Sequence, residues 1–170
     1  MKRAVFFEDL FVGQPIRSES MEVSQEAIIR FARENDPQFF HIDPEAATSS
    51  LFGGLVASGW QTGALTLRLL LENSGMSFAG GVVGVEAHLA WKHPVRPGDR
   101  LHVEGEITKV RPSRSQPDRG LVTFQARTVN QAGKAVQTIQ ATMLVFRDPE
   151  RRDGRALSDA PRAHCGQSDE

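Results

Sequence analysis

The sequence predicts an α+β fold in which an antiparallel sheet wraps around one buried helix. Two segments in the first half carry apolar residues at helical spacing, and the second of them is apolar on nearly every side. The second half instead alternates apolar and polar residues over several segments separated by short turns. One buried helix followed by consecutive strands is typical of an α+β domain.

The first helix is predicted from about Gln25 to Asn35, with Ser24 as its N-cap. Its apolar stripe consists of Ile28, Phe31 and Ala32. Pro37 disfavours the helical conformation at the residue before it. The chain is therefore expected to leave the helix at Asp36.

The second helix is predicted from near Gly59 to about residue 73, after an irregular lid over residues 42–56. The lid contains Pro, Thr, Ser and Gly residues that argue against one continuous element. The helix is surrounded by Trp60, Ala64, Leu65, Leu67, Leu69, Leu70 and Leu71. A helix of this kind is normally buried, and Ser58 is its predicted N-cap.

The second half of the chain is predicted to supply four strands. They lie at about residues 83–91, 101–107, 122–126 and 134–146. Turn residues at 97–99 and 130–133 separate them, and the second of these turns resembles a hairpin connection. Consecutive strands joined in this way favour antiparallel pairing.

Composition limits the classes of protein to which the chain can belong. It has 170 residues, a formal net charge of −1 and a hydrophobic share of 39 %, which fits one domain with a real core. No global field attracts nucleic acid or a membrane surface. The single cysteine, Cys165, excludes an intrachain disulfide and fits a reducing compartment. Without a signal peptide or a bilayer-spanning apolar run, a cytoplasmic location is expected.

The chain is predicted to divide into one domain over residues 1–147 and a disordered tail over residues 148–170. The tail contains charged residues with Gly, Pro and Ser, and it has no hydrophobic periodicity. We therefore expect it to add little to the fold.

A short motif lies between the two helices. Asp36 is followed by four residues and then by His41, and further on come Gly53-Gly54 and Ala57-Ser58-Gly59-Trp60 at the start of the second helix. The segment closely resembles the MaoC-like dehydratases, the R-specific enoyl-CoA hydratase family, and the resemblance extends over residues 7–146. One difference is that Ser58 stands where many relatives carry a histidine. Another is Leu67, near the position of a serine in relatives.

The resemblance implies a hot-dog fold, in which the sheet wraps around the central helix. It also implies reversible addition of water across the α,β double bond of an enoyl-CoA thioester. The family builds its site where two hot-dog units meet, so a homodimer or higher oligomer is implied. No metal, flavin or nicotinamide cofactor is implied, and coenzyme A enters as part of the substrate.

Asp36, His41 and Gly59 are the predicted catalytic residues. Hydration removes a proton from water and supplies one to the α-carbon, and a carboxylate and an imidazole can share this work. Their ordinary pKa values of about 4 and about 6.5 leave the first ionised and the second poised near neutrality. The thioester oxygen also gathers negative charge, and the backbone N–H of Gly59 at a helix N-terminus is the predicted donor to it.

Five residues near this pair are predicted to bind substrate. They are Asn35, Phe40, Gly54, Ser58 and Trp60. Each also has a structural interpretation. Asn35 can orient Asp36 or simply end the helix, and Gly54 is a turn glycine first. Ser58 is an N-cap, and the two aromatic residues line either the core or an acyl pocket.

The remaining histidines and basic residues give weaker predictions of a metal site and of a phosphate-binding site. The spacing of His88, His93 and His102 lacks the H-E-x-x-H pattern of a zinc site. The basic residues that can meet the phosphates of coenzyme A are Lys92, Arg96, Arg100, Arg111 and Arg114, although each fits a solvated face equally well. Two other functions remain open, a hot-dog acyl-CoA thioesterase and a non-catalytic acyl-CoA binder.

Overall fold

An antiparallel sheet of six strands forms the body of the molecule in the computed structural model, which describes residues 4–72 and 74–152. Its four long strands are β5 (Val82–Trp91), β6 (Arg100–Pro112), β7 (Arg119–Val129) and β8 (Ala135–Phe146). The order across the sheet is β2-β6-β7-β8-β5, with β3 also paired to β6. The four predicted strands are confirmed, and each extends to within one residue of its predicted bounds or beyond them.

The remaining strands are short. They are β1 (Ala4–Val5), β2 (Pro15–Arg17), β3 (Met21–Glu22) and β4 (Ser77–Phe78). Strands β2 and β3 add to the β6 side of the main sheet, whereas β1 and β4 form a separate parallel pair. Strand β5 therefore lies at the opposite edge of the main sheet from β2.

The helices are α1 (Gln25–Asn35), α2 (Phe39–Ile42), α3 (Gly59–Glu72) and α4 (Pro149–Arg152). Two 3₁₀ turns occupy Phe7–Asp9 and Ala46–Ser49. The predicted bounds of α1 are confirmed, and Oγ of Ser24 caps it by accepting from the N–H of Ala27. Within the predicted lid over residues 42–56, the 3₁₀ turn at Ala46–Ser49 gives the chain more regular structure than expected.

The core lies between the sheet and the inner sides of α1 and α3. Ile28 of α1 and Leu69 of α3 are fully buried, as are Leu101 and Val103 of β6. The inner side of α3 is unusual because it includes Thr66, which hydrogen-bonds to Thr128 of β7 at 2.6 Å. These contacts hold α3 against the sheet and fix the position of its N-terminal end.

The predicted burial of α3 is confirmed on its inner side, but its outer side is open within the described residues. Trp60, Leu67 and Leu71 expose 63, 50 and 40 % of their surface. They lie on the side of the helix beside β5, where the described part of the chain supplies no cover. An apolar sequence pattern indicates that a helix will be covered, but it does not indicate which part of the protein, or which chain, covers it.

The start of the predicted tail is also corrected. Residues 149–152 form the helical turn α4, and Arg151 pairs with Asp9 at 2.8 Å. Just before it, Arg147 pairs with Glu8 at 2.6 Å. Ion pairs, which hydrophobic periodicity does not reveal, hold this segment to the N-terminal 3₁₀ turn. The rest of the predicted tail, with Cys165, lies outside the described residues.

Candidate active site

Asp36 lies at the C-terminal end of α1, where the chain leaves the helix. Its N–H still bonds to the carbonyl of Ala32 at 2.9 Å, but its φ and ψ of −153° and 71° are no longer helical. Pro37 excludes the helical conformation here, as the sequence predicted. The turn directs the side chain of Asp36 toward the N-terminal end of α3.

The carboxylate of Asp36 has three polar neighbours. Oδ2 accepts a hydrogen bond from Oγ of Ser58 at 2.6 Å and lies 3.4 Å from Nε2 of His41. Oδ1 accepts from Nε2 of Gln38 at 2.8 Å. Burial acts to raise the pKa of Asp36, but the hydrogen bonds from Ser58 and Gln38 and the charge of His41 together lower it below its ordinary value. Asp36 is therefore ionised at neutral pH.

His41 lies in α2 and is 5 % exposed. Its Nδ1 is 2.7 Å from the carbonyl oxygen of Val56. A carbonyl only accepts, so Nδ1 carries a proton, and in the neutral ring Nε2 holds the lone pair. Nε2 faces Oδ2 of Asp36, so with a neutral ring the pair presents a lone pair and a negative charge side by side, and with a protonated ring it forms an ion pair.

Ser58 precedes the first residue of α3 and acts as its N-cap. Oγ accepts from the N–H of Trp60 at 3.2 Å, and its carbonyl accepts from the N–H of Thr62 at 3.0 Å. The predicted N-cap role is confirmed by these contacts. Oγ accepts from the N–H of Trp60 through a lone pair, so the hydroxyl proton of Ser58 remains available to donate to Asp36.

Gly59 is held against the indole of Trp91. Nε1 of Trp91 donates to the carbonyl of Gly59 at 2.8 Å. A Cβ at Gly59 would lie only 2.7 Å from the indole ring, so the glycine is needed for this contact. Within the described residues the N–H of Gly59 donates to no acceptor, and it lies in the first turn of α3.

These groups line a cavity of about 420 Å³ at the N-terminal end of α3. Six of the predicted site residues contribute to its wall: Asp36, Phe40, His41, Ser58, Gly59 and Trp60. Lys92 is the basic residue among the predicted phosphate contacts that reaches it, and His93 is beside it. The cavity thus combines an ionised carboxylate, an imidazole, a helix N-terminus and a cation.

Two predicted substrate-binding residues lie away from the cavity wall. Nδ2 of Asn35 donates to the carbonyl of Phe31 at 2.9 Å, so its side chain ends α1 and does not orient Asp36. Gly54 has a φ of 154°, and an added Cβ would lie 3.5 Å from Nη1 of Arg96. Its place in a turn, where the left-handed region favours glycine, accounts for it without substrate.

Sequence reasoning missed two side chains of the site. Gln38 bonds directly to Asp36, but a glutamine two positions after an aspartate carries no recognisable signal. Trp91 was placed on a strand with no role in the site, yet it packs on Gly59 and meets Trp60 edge-to-face at 5.3 Å. The end of a strand and the start of a helix meet here through the tertiary fold, which local patterns do not reveal.

An apolar cavity of about 530 Å³ adjoins the first one along the outer side of α3. Trp60 contributes to the walls of both cavities. The second is lined by Leu67 and Leu71 from the helix and by Val85 from β5, among other apolar residues. A polar site next to an apolar cavity fits a ligand with a reactive head and a hydrocarbon chain.

Across residues 4–72 and 74–152, no three His, Cys, Asp or Glu side chains approach closely enough to hold a metal ion together. None of the described helices combines the length and apolar character needed to cross a bilayer.

Comparison with known proteins identifies the family to which the chain belongs and solved structures with the same fold. The chain matches the model of the MaoC like domain over residues 9–130. The crystal structure of a MaoC-like dehydratase from Rhodospirillum rubrum superposes with a TM-score of 0.80 at 51 % identity, covering 86 % of this chain and 99 % of that one.

Two curated relatives are similar in sequence. An uncharacterised protein of Bacillus subtilis, YdeM, is 34 % identical over 82 % of this chain and 96 % of its own length. A 3-hydroxybutyryl-CoA dehydratase of Methylorubrum extorquens is 31 % identical over 66 % of this chain and 69 % of its own. The predicted resemblance and the hot-dog fold are thereby confirmed, and the chain belongs to the MaoC-like dehydratase family.

Proposed function

We propose that this protein adds water reversibly to the α,β double bond of an enoyl-CoA thioester, with Asp36 and His41 as the catalytic pair. The observation that carries the proposal is the 3.4 Å approach of Nε2 of His41 to Oδ2 of Asp36 at the wall of a cavity. The 3-hydroxybutyryl-CoA dehydratase relative supports the reaction class.

The pair handles both parts of one water molecule. Asp36 and Nε2 of His41 both accept hydrogen bonds, so together they hold a water whose oxygen points at the β-carbon. As the C–O bond forms, the pair takes the proton of the water and then delivers a proton to the α-carbon. The hydroxyl and the new hydrogen arrive from the same side of the former double bond. Dehydration follows this path in reverse.

The N–H of Gly59 stabilises the thioester oxygen as electrons move onto it. This donor lies at the N-terminus of α3, where the helix dipole favours negative charge. Trp91 donates to the carbonyl of the same residue and packs against its Cα, so it holds Gly59 in place at the cavity wall. The reaction needs only proton transfer and charge stabilisation, so we propose that it uses no metal or redox cofactor.

The two cavities suit the two ends of an acyl-CoA. The apolar cavity beyond Trp60 accepts the hydrocarbon chain, and its volume of about 530 Å³ leaves room for more than a short one. Lys92 lies at the wall of the polar cavity with its side chain exposed, where it meets a phosphate of coenzyme A.

We also propose that the working form is a homodimer. Among the described strands β5 pairs with β8 alone, and it exposes 53 % of Val83 and 58 % of Val85. Leu67 of α3 lies beside them, so an apolar face joins the open edge of the sheet. Such faces and edges are normally covered, and a second copy supplies a matching surface in an isologous contact.

The test is to incubate the protein with a panel of enoyl-CoA substrates and to measure the loss of enoyl absorbance for each one. Crotonyl-CoA, longer enoyl-CoA and branched enoyl-CoA should be hydrated, and free thiol should not appear. Release of free coenzyme A from saturated acyl-CoA would instead favour the thioesterase. Tight binding of the whole panel with neither reaction would favour the non-catalytic binder.

A further inference from the structure

Ser58 occupies a position with two simultaneous hydrogen bonds. Its Oγ accepts from the N–H of Trp60 at 3.2 Å and donates to Oδ2 of Asp36 at 2.6 Å. The residue is completely buried. One side chain therefore joins the first turn of α3 to the residue that follows α1.

The direction of the second bond is fixed by chemistry. An ionised carboxylate only accepts, and Oγ already accepts from a backbone N–H, so the serine proton lies toward Asp36. Hydrogen bonds of this charge-assisted kind are short and strong, as the 2.6 Å separation is. Oδ2 is also the oxygen that faces Nε2 of His41, so Ser58 contacts the reacting side of the carboxylate.

We propose that Ser58 is a positioning residue for Asp36, whose hydroxyl holds Oδ2 in place beside Nε2 of His41. Its role is exerted through Asp36 and not through contact with substrate. The proposal rests on the proposed function, since it assigns Ser58 to the pair that handles water. It also accounts for the hydroxyl at a buried N-cap, because the same oxygen caps α3 and orients Asp36.

Other ionisable groups face Asp36 and must be considered in a titration. His41 is in direct contact, and Lys92 and His93 line the same cavity. All three are cations when protonated and so act in the same direction as Ser58, stabilising the ionised carboxylate. A change seen on removing only the hydroxyl isolates the contribution of Ser58.

The experiment measures the titration of Asp36 directly, together with the hydration activity of the protein. The side-chain carboxyl of Asp36 is titrated by carbon-13 NMR in the wild-type protein and in Ser58→Ala, and the kinetics of enoyl-CoA hydration are measured in parallel. Ser58→Ala is expected to raise the pKa of Asp36 and to lower kcat by about tenfold with little change in KM. Ser58→Thr keeps a hydroxyl and should keep both properties near wild type.

Ser24→Ala is the matched control, because Ser24 caps α1 in the same way and does not contact Asp36. It should lower the melting temperature without moving the Asp36 titration or kcat. The proposal is overturned if Ser58→Ala leaves the titration unchanged, if Ser24→Ala reproduces its kinetic loss, or if KM rises alone. If the wild-type protein hydrates no enoyl-CoA, the proposed function fails, and the titration still decides the role of Ser58.

Discussion

The N-terminal end of α3 is enclosed by polar partners from the same chain, whereas its outer side is apolar and open. At the end, Ser58 is completely buried and joined to Asp36, and His41 is 5 % exposed. Along the side, Leu67 is 50 % exposed beside the equally open strand β5. The comparison separates two tasks. One chain brings the proposed proton-transfer groups together, and within the described residues it leaves an apolar surface uncovered.

The polar end gives the largest expected effect. His41→Ala removes Nε2 from the side of Asp36, so we expect a folded protein whose hydration rate falls by about a hundredfold or more. The double variant with Asp36→Asn should be little slower than either single variant, because two groups that act on one water work as a unit. Stopped-flow or steady-state assays measure the hydration rates of the two single variants and of the double variant. Losses that multiply would mean that the two residues act in separate steps.

The apolar side is tested by a charge on β5. Val85→Asp places a carboxylate on the proposed dimer face, where its burial is costly, so light scattering should find a monomer. Val12→Asp is the matched control, since Val12 is 62 % exposed but lies in the segment beside the opposite edge of the sheet. It should leave the oligomer intact. A Val85→Asp protein that remains a dimer would place the interface elsewhere.

The contact between the two regions is tested at Gly59. A Cβ at this position would lie 2.7 Å from Trp91, so Gly59→Ala should destabilise the protein by about 1–3 kcal/mol through overpacking. Gly63→Ala is one turn further along the same helix, where the nearest atom to the new Cβ is 3.5 Å away. Chemical denaturation should show a much smaller cost there. Equal costs at the two positions would show that contact with Trp91 does not govern the result, because helix propensity favours alanine over glycine at both.

The smallest expected effect is a pH dependence of stability. The pKa of Asp36 is lower in the folded protein than its ordinary value of about 4, so its contribution is present above that value and is lost as pH falls through the folded value. Asp36→Asn should therefore lose less stability than wild type on acidification below about pH 4. Parallel curves for the two proteins would show that the carboxylate is unlinked to folding.

How far the sequence predicted this arrangement depends on the distance between the residues concerned. The helix exit at Asp36 and the cap at Ser58 are predictable because a proline and a helix start mark these positions locally, whereas the catalytic role of Asp36 is implied by the family resemblance. The packing of Trp91 on Gly59 was missed, since it joins a strand end to a helix start across the fold. The apolar pattern of α3 predicted its burial, but the pattern does not show that only the inner side is covered within the described residues, where Leu67 and Leu71 on the outer side are exposed.

The measurement that tests the account most directly is the hydration rate of Asp36→Asn. The asparagine keeps the shape of the side chain and can still accept from Ser58 through its oxygen, but it removes the negative charge beside His41. The account predicts a folded protein with an unchanged oligomeric state and a rate of enoyl-CoA hydration reduced by about a hundredfold or more. A rate close to that of the wild-type protein would show that the Asp36–His41 pair is structural and would contradict the proposed function.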